Sequence, residues 1–526
     1  MSIDDDYEDD DNEDNYSNVD ATALLLSLPA DLRTKIINPP ENETARAKII
    51  FQTIKALIDR DVSYKSIRIL FNKYPIGNNI KNLDELIKKV KNSNLGEEKL
   101  SQDFISKHLT QVRFCHSWEK WVTWNGNYWE QDLKGQALYL MCEYLRDAQI
   151  PEFRKRASTI KGIEYLSKLN PLISTINDDW DNNPLLLATE ATKDNKGGTI
   201  DLTTGELRPS KPEDLITKAT KVSPINSPPI LWLKFLHDAT QGNEELISYL
   251  QRMAGYCLTG SIKEESLFFL FGEGGNGKGT FINTITAILG TYATVAPMET
   301  FVENKFGVSH PTELAMLRGA RLVTAQETEE GKSWNETRIK SLTGGDPITA
   351  RLMYKDFFTF NPTFKLVISG NHAPSLKTVD DAIKRRFNKL PFVFKPNPPD
   401  LLLKEKLKSE YPQILQWMID GCLQWQSQGL NPPKIVLDST DDYFLDQDFF
   451  SQWVEEKLEI TPNKSSLYQD LQASWYRFAS LNHQRQGDAR MFKSRMEKLP
   501  GVTYERNVKD PKTNKYQRGY NGIGFK

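Results

Sequence analysis

A chain of 526 residues is long enough for three or four domains, each burying its own core. With 39% apolar and 26% charged residues it has an ordinary globular composition, and it contains no apolar run able to span a bilayer, so a membrane partner is not expected. The formal charge of −3 hides an asymmetry: the first 20 residues carry ten acids and no base, so the remainder moves from −3 to +7, and residues 485–526 hold eleven Lys or Arg against four acids.

Residues 1–20, with Asp4-Asp5-Asp6 and Asp9-Asp10-Asp11, bury too little apolar area to offset the entropy of ordering and read as a disordered acidic tail. A leader peptide is basic and apolar, so the expectation is a cytoplasmic protein without signal peptide or transmembrane segment. Cys115, Cys142, Cys257 and Cys422 lie far apart with no C-x-x-C, which predicts free thiols rather than disulfides or zinc.

Over 21–108, Ile49, Ile50, Ile54, Leu57 and Ile58, then Ile67, Leu70 and Phe71, recur at helical spacing, with a break at Tyr74-Pro75-Ile76-Gly77. Residues 109–225 change to aromatics and short strands. Trp118, Trp121, Trp124, Tyr128 and Trp129 around Asn125-Gly126 predict a hairpin, and Asp201 to Leu207 a second. These tryptophans suit core packing or, less commonly, stacking on bases. Beyond Pro228-Pro229, the stretch 226–262 predicts two helices with apolar faces at Trp232, Phe235, Leu236 and at Leu246, Tyr249, Leu250, Met253.

Leu267 to Phe271 is an apolar run that reads as a strand buried on both faces. Gly272, Glu273, Gly274, Gly275, Asn276, Gly277, Lys278, Gly279 and Thr280 follow. Glycines let successive N–H groups converge on one point, Lys278 adds a point charge, and Phe281, Ile285, Ile288 and Leu289 line a helix that ends at Gly290. A strand, a G-x-x-x-x-G-K turn and a helix form a phosphate site for ATP. The pattern places Ser or Thr after the lysine to ligate Mg²⁺. Here Gly279 takes that position and Thr280 is the candidate ligand.

An ATP hydrolase also needs a carboxylate, a polar sensor and a cation for the transition state. Arg321 to Ala325 reads as a strand ending in Gln326-Glu327-Thr328-Glu329-Glu330, where Glu327 would polarise water or hold Mg²⁺. Lys365 to Ser369 is another strand, tipped by Gly370-Asn371, and Arg385-Arg386 end a short predicted helix. Between them, after Gly344-Gly345-Asp346-Pro347, the residues alternate through Arg351 to a hairpin tip at Tyr354-Lys355-Asp356, an aromatic beside a lysine suited to a phosphate backbone.

Taken with Leu202 to Leu207, Tyr249-Leu250-Gln251-Arg252, His310 to Ala315, Leu342 to Asp346 and Gly370-Asn371-His372, these motifs resemble the superfamily 3 helicases of the phage, plasmid and poxvirus primase–helicase type, over roughly residues 110–455. The resemblance implies an AAA+-like α/β core with a central parallel sheet at 263–400, a helicase-associated domain at 109–225, a helical collar at 226–262 and a helical extension at 401–436. It implies a homo-oligomeric, hexameric ring with ATP between subunits. Lys278 would bind phosphate, Glu327 would serve metal or water with Glu329 in reserve, Asn371 would sense the γ-phosphate, and Arg386, or else Arg385, would act on a neighbour's ATP. Arg351, Tyr354 and Lys355 would follow single-stranded or forked DNA. Gln326 departs from a paired-acid second motif. Residues 21–108 look like a spacer after a primase domain, so the expectation is a helicase without a primase centre, with a separate primase or polymerase as a further partner.

In 437–526, Phe449, Phe450, Trp453 and Val454 open a last unit, Leu467, Leu471, Trp475 and Phe478 line one helix, and Arg490, Lys493 and Arg495 sit on the next. Strands around Asp510-Pro511-Lys512 follow, a pattern like a winged helix that binds duplex DNA. The alternatives are a nucleotide-switched DNA-binding initiator with weak ATPase activity and a P-loop small-molecule kinase.

Overall fold

The computed structural model describes residues 20–526 apart from 61, 79, 94–95, 148–149, 151–154, 192–195, 304–310, 327–331, 354, 377–379, 397–399, 483–485, 487 and 511–512. It divides between Trp180 and Asp181 into two compact units. The division falls inside 109–225, the stretch read above as one domain, because pairing changes partner there. Thr175 belongs to the first unit's sheet, whereas the Asp181 carboxylate accepts from Thr217 N at 2.9 Å in the second.

In the first unit, helices α1 (Ala21–Ser27), α2 (Ala30–Ile37), α3 (Glu43–Ile58), α4 (Tyr64–Lys73), α5 (Leu83–Ser93) and α6 (Glu97–His108) follow in turn. Asp20, Asn42 and Ser63 cap α1, α3 and α4 by accepting from backbone N–H groups. The helical spacing seen in the sequence packs Ile50, Ile54, Leu57, Ile67, Leu70 and Phe71 into one core, with the Pro75–Gly77 turn closing it. Strands β1 (Val112–Cys115), β2 (Lys120–Trp124) and β3 (Trp129–Gln131), helices α7 (Gln136–Asp147) and α8 (Ala157–Lys168), and strand β4 (Ser174–Thr175) complete the unit, in sheet order β3-β2-β1-β4. The tryptophans turn onto one another: Trp118 stacks on Trp180 at 5.8 Å, and Trp129 is fully buried against Trp124 and Trp180. That is core packing.

The second unit opens with β5 (Leu186–Thr189), β6 (Gly198–Asp201) and β7 (Glu206–Arg208), an antiparallel sheet that contains the second expected hairpin, then α9 (Ile230–Ala239) and α10 (Glu244–Tyr256). Next come β8 (Leu267–Phe271), α11 (Lys278–Leu289), β9 (Ala293–Val295), α12 (Pro311–Ala315), β10 (Leu322–Gln326), α13 (Glu336–Thr343), the hairpin β11 (Ile348–Arg351) and β12 (Phe357–Phe360), β13 (Lys365–Gly370), α14 (Asp381–Lys384) and β14 (Phe387–Pro391). Strands β8, β9, β10, β13 and β14 form a parallel sheet in the order β14-β8-β13-β10-β9, with β8 flanked on both sides as its unbroken apolar run requires.

Helices α15 (Leu403–Lys408), α16 (Tyr411–Gln428) and α17 (Lys434–Gln447) return along this core. Packing joins what the sequence separates into collar and extension, because α10 and α16 cross at two glycines. A Cβ on Gly255 would lie 2.1 Å from Cys422 N, and one on Gly421 would lie 2.1 Å from Gln251 O. Tyr443 and Phe444 of α17 sit in the core of the parallel sheet, so that core extends past the expected boundary at 436/437. Helix α18 (Phe449–Lys457), β15 (Leu458–Leu467), α19 (Tyr468–Leu481), α20 (Ala489–Met496), β16 (Thr503–Lys509) and β17 (Tyr516–Phe525) follow, with sheet order β15-β17-β16 and a core around Trp453, Leu471, Phe492 and Ile523. Among the described residues no helix is long and apolar enough to cross a membrane.

At the N-terminal edge of the parallel sheet, Lys365 and Arg321 are buried among carbonyls at the end of α10: Arg321 donates to Leu258 O at 2.6 Å and Lys365 to Thr259 O. Burial pushes the Lys365 ammonium down to about 7 from its ordinary 10.5. The unfolded chain keeps that proton to higher pH, so the native state binds fewer protons and stability rises as pH climbs from about 7. The Cys257 thiol, pushed up to about 12 by burial, cancels that rise above its ordinary 9.0. Denaturation in urea is therefore expected to show stability increasing between pH 7 and about 8.5, with a flatter profile in Lys365→Met. In the same assay Gly255→Ala lowers stability by about 2 kcal/mol or more, since its methyl meets backbone that cannot step aside.

Candidate functional site

The register of the parallel sheet brings the ends of three strands to one edge: Phe271 of β8 pairs with Gly370 of β13, and Ser369 with Gln326 of β10. At this edge the chain after β8 turns through the glycine loop and enters α11. Gly277 precedes α11 with φ 92°, and a Cβ there would lie 2.8 Å from the Phe235 ring, so only glycine fits both the turn and the contact. The Asn276 amide donates to Phe392 O and ties the loop to the segment after β14.

Lys278 is 7% exposed. Its ammonium donates to Gly272 O at 2.6 Å, Glu273 O at 2.9 Å, Asn276 Oδ1 at 3.0 Å and Asn371 Oδ1 at 3.1 Å, all neutral oxygens, and burial lowers its pKa. Among the described residues these oxygens solvate the positive charge without neutralising it. A cavity of about 880 Å³ opens beside it, lined by residues 274–280, Gln326, Ser369 to His372, one face of α9, and residues of the segment 394–404. The mouth of a parallel sheet at a helix N-terminus suits an anion.

The predicted site residues fall into five groups. Gly274, Gly275, Asn276, Gly277, Lys278, Gly279, Thr280 and Asn371 meet around the cavity, with Gly272 and Glu273 supplying carbonyls to the lysine. At the tip of β10 the Gln326 amide donates to Asn283 of α11 at 2.8 Å, while Glu327 and Glu329 lie outside the described residues. Arg351 ends β11 and lies 4.8 Å over the Phe357 ring, Lys355 is exposed beyond it, and Tyr354 lies outside the described residues. In the last unit Arg490 is exposed and Lys493 lies 4.3 Å over Tyr504, but Arg495 turns inward over Phe450 at 5.5 Å, where burial lowers its pKa.

Arg385 and Arg386 stand at the opposite end of the sheet, where Leu267 N donates to Arg386 O. Four strand steps separate them from the cavity edge, about 13 Å. They differ in freedom. Arg386 has a side chain 8% exposed, paired with Glu265 at 2.5 Å and donating to Ala382 O, whereas the Arg385 side chain, which donates to the same Glu265 carboxylate at 3.2 Å, is 66% exposed. The sequence holds no local signal for that difference. Nor does it mark Phe235, which supports the glycine loop from 40 residues away, or Lys395, whose Cε lies 3.4 Å from where a Gly275 Cβ would stand.

The fold and site define a mixed α/β protein with a P-loop-like core. Residues 100–241 match the family model described as D5 N terminal like, and residues 270–386 match a family of unknown function, DUF5906. Two viral proteins that carry the name "putative helicase" are similar: one of Acanthamoeba polyphaga mimivirus, 26% identical over 54% of this chain and 32% of its own length, and one of Frog virus 3 (isolate Goorha), 26% identical over 44% and 26%. This chain thus spans about a third or less of the relatives it matches. Among solved structures, the apo C-terminal region of NrS-1 aligns over 81% of this chain and 99% of that one, at 12% identity and a TM-score of 0.44. These similarities support a relationship with the phage- and virus-type primase–helicases.

Asn371→Asp changes the 3.1 Å contact into an ion pair that competes with an incoming anion for Lys278. Calorimetry with tripolyphosphate is expected to show binding weakened by about ten-fold, with the melting temperature unchanged or raised.

Proposed function

We propose that this chain is an ATP-dependent DNA helicase, a ring translocase acting in replication of a virus, plasmid or mobile element. The observation that carries the reading is Lys278, a buried ammonium held by neutral oxygens at the mouth of a parallel sheet, with Asn371 in contact and space for an anion beside it. The strand order and the β11–β12 hairpin support an AAA+-like core. ATP is the anion. Thr280, which lines the cavity, and Glu327 would hold Mg²⁺, and that ion would supply charge neutralisation at the phosphates. Lys278 binds the phosphates and Asn371 orients the terminal one.

An arginine at the far end of the sheet cannot serve its own subunit's cavity. A ring, with each cavity completed by a neighbour, gives the arginine pair a use, and exposure favours Arg385 as the residue that leaves the shared Glu265 carboxylate to reach while the buried Arg386 keeps it. Single-stranded or forked DNA follows Arg351, Tyr354 and Lys355 of the hairpin. The arrangement α18, β15, α19, α20, β16, β17 supports a winged helix that presents Arg490 and Lys493 to duplex DNA. A separate primase or polymerase is the further partner. One observation favours a second reading, a nucleotide-switched initiator with slow turnover: Gln326, where a second acid would stand, is tied to Asn283.

ATP hydrolysis measured with and without single-stranded DNA separates the two. The helicase reading expects stimulation by DNA, loss of at least about a hundred-fold of turnover in Lys278→Ala and in Arg385→Ala, and partial recovery on mixing those two variants. Turnover that ignores DNA, with Arg385→Ala and Arg386→Ala both active, overturns the motor.

A further inference from the structure

Helix α20 offers duplex DNA less than its composition suggests. Of its three bases, Arg495 lies over Phe450, and Lys493 lies over Tyr504 and stands 3.6 Å from Glu497, which leaves Arg490 exposed at the start of the helix. The β16–β17 hairpin beside it carries more. Lys509, Lys515, Tyr516 and Arg518 are all exposed there, Tyr516 at 67%, so a ring stands in water with cations around it. Such a group offers a face for stacking and charges for phosphates.

Strand register puts these groups on one face. Side chains alternate along a strand, so Tyr516, Arg518 and Tyr520 of β17 share a side, and Lys509, opposite Tyr516, and Tyr504, opposite Tyr520, share it with them. Contacts carry that face over to α20. Tyr504 meets Tyr520 edge-on at 5.5 Å, Tyr520 stacks on Tyr468 at 6.2 Å, and Arg518 lies 4.9 Å over the Tyr468 ring. The Tyr468 hydroxyl in turn donates at 3.2 Å to the carbonyl of Ala489, the residue before Arg490. One surface therefore runs from the start of α20 through Arg518 to Tyr516 and Lys509. Its charge is one-sided, because residues 506–526 hold six Lys or Arg and a single acid, Asp510. That acid is buried inside the hairpin, where its carboxylate accepts from Thr513 Oγ1 at 2.5 Å and Gln517 Nε2 at 3.1 Å, while Asp510 N donates to Lys515 O at 2.8 Å. These bonds fix the strands beside Tyr516, and a preformed surface loses little entropy when a ligand arrives.

We propose that this face of the β16–β17 hairpin, and not α20, is the seat of a DNA junction: Lys509 and Arg518 hold phosphates of the duplex, and the Tyr516 ring stacks on the base pair left open where the strands part. The proposal rests on the reading of this chain as a protein that acts on forked DNA, and assigns the residues that meet the fork. Charge complementarity selects a nucleic acid, and an exposed ring at the end of the cationic face selects an open base-pair end over a continuous helix.

The experiment is fluorescence anisotropy of the full chain without nucleotide, titrated against a forked duplex, a duplex of the same length closed at both ends by short loops, and a single strand. Tyr516→Ala is expected to lose roughly ten-fold in affinity for the fork while keeping that for the closed duplex and the single strand, and Tyr516→Phe to bind the fork as the parent does. Lys509→Ala with Arg518→Ala is expected to weaken both duplexes and to lower the slope of log affinity against log salt by about two. Tyr516 is exposed enough for the melting temperature of its variants to stay at the parent's value. A Tyr516→Ala variant that binds the fork as the parent does, or that loses the closed duplex equally, overturns the seat and leaves the DNA reading standing. So does a fork affinity that falls in Arg490→Ala and in neither hairpin variant, which returns the contact to α20. A parent that binds none of the three DNAs overturns the DNA reading and the seat with it.

Discussion

A lysine taken out of water without a carboxylate beside it is expensive, and several features of the second unit follow from supporting one. The Lys278 ammonium is surrounded by the carbonyls of Gly272 and Glu273 and by the amide oxygens of Asn276 and Asn371. Each of these must be carried to it. The first three come from the loop's own curl, which needs Gly277 in a conformation that L side chains rarely adopt. Asn371 lies just past β13, 93 residues after Lys278, and the parallel pairing of β8 with β13 places it within reach. Four neutral dipoles offset part of the desolvation and none of the charge.

The loop in turn needs a support that does not move. Asn276 is tied to Phe392 O after β14, and Phe235 of α9 fills the space that the glycine leaves open. Helix α9 is capped by Glu410, which lies at the start of α16, and α16 crosses α10 at Gly255 and Gly421. Helices from before and after the parallel sheet thus form one bracket around the glycine loop. The same bracket reaches the far edge of the sheet through Arg321 and Lys365, which end on carbonyls just past α10. One layer of helices therefore grips the sheet at both ends of its strands.

What was legible in the chain was whatever short range decides. The apolar run of β8, the loop glycines, the hairpins and the helical periodicity of the first unit follow from neighbours within about ten residues, and the motifs and their family follow from them. What was not legible depends on contacts that spacing does not encode. Trp180 closes the first unit's aromatic cluster while Asp181 accepts from Thr217 of the next unit, so the division falls where no composition change marks it. Gly255 and Gly421 look like unremarkable helical glycines until the two helices meet. Arg385 and Arg386 are identical in type, adjacent and both paired with Glu265, yet in the turn between α14 and β14 one side chain is buried and the other stands largely in solvent. Arg495 reads as one more base on a basic helix, but its position on α20 aims it at Phe450.

Helix α17 shows why a boundary placed at a proline pair can mislead. Pro432-Pro433 does end the preceding helix run, and α17 begins at Lys434. A helix start is not a domain start, however, and what decides membership is where the apolar face goes. Tyr443 stacks on Phe387 at 5.0 Å, accepts from Trp334 Nε1 at 3.1 Å and donates to Pro374 O at 2.5 Å, while Gln447 Oε1 accepts from Leu376 N at 3.1 Å. These contacts fasten α17 to the loop that follows Asn371. Asp448, the next residue, caps α18 by accepting from Ser451 N. No slack separates the helix that belongs to the sheet's core from the helix that opens the last unit, so the loop after Asn371 and the start of that unit are joined by packed side chains and a single capped junction.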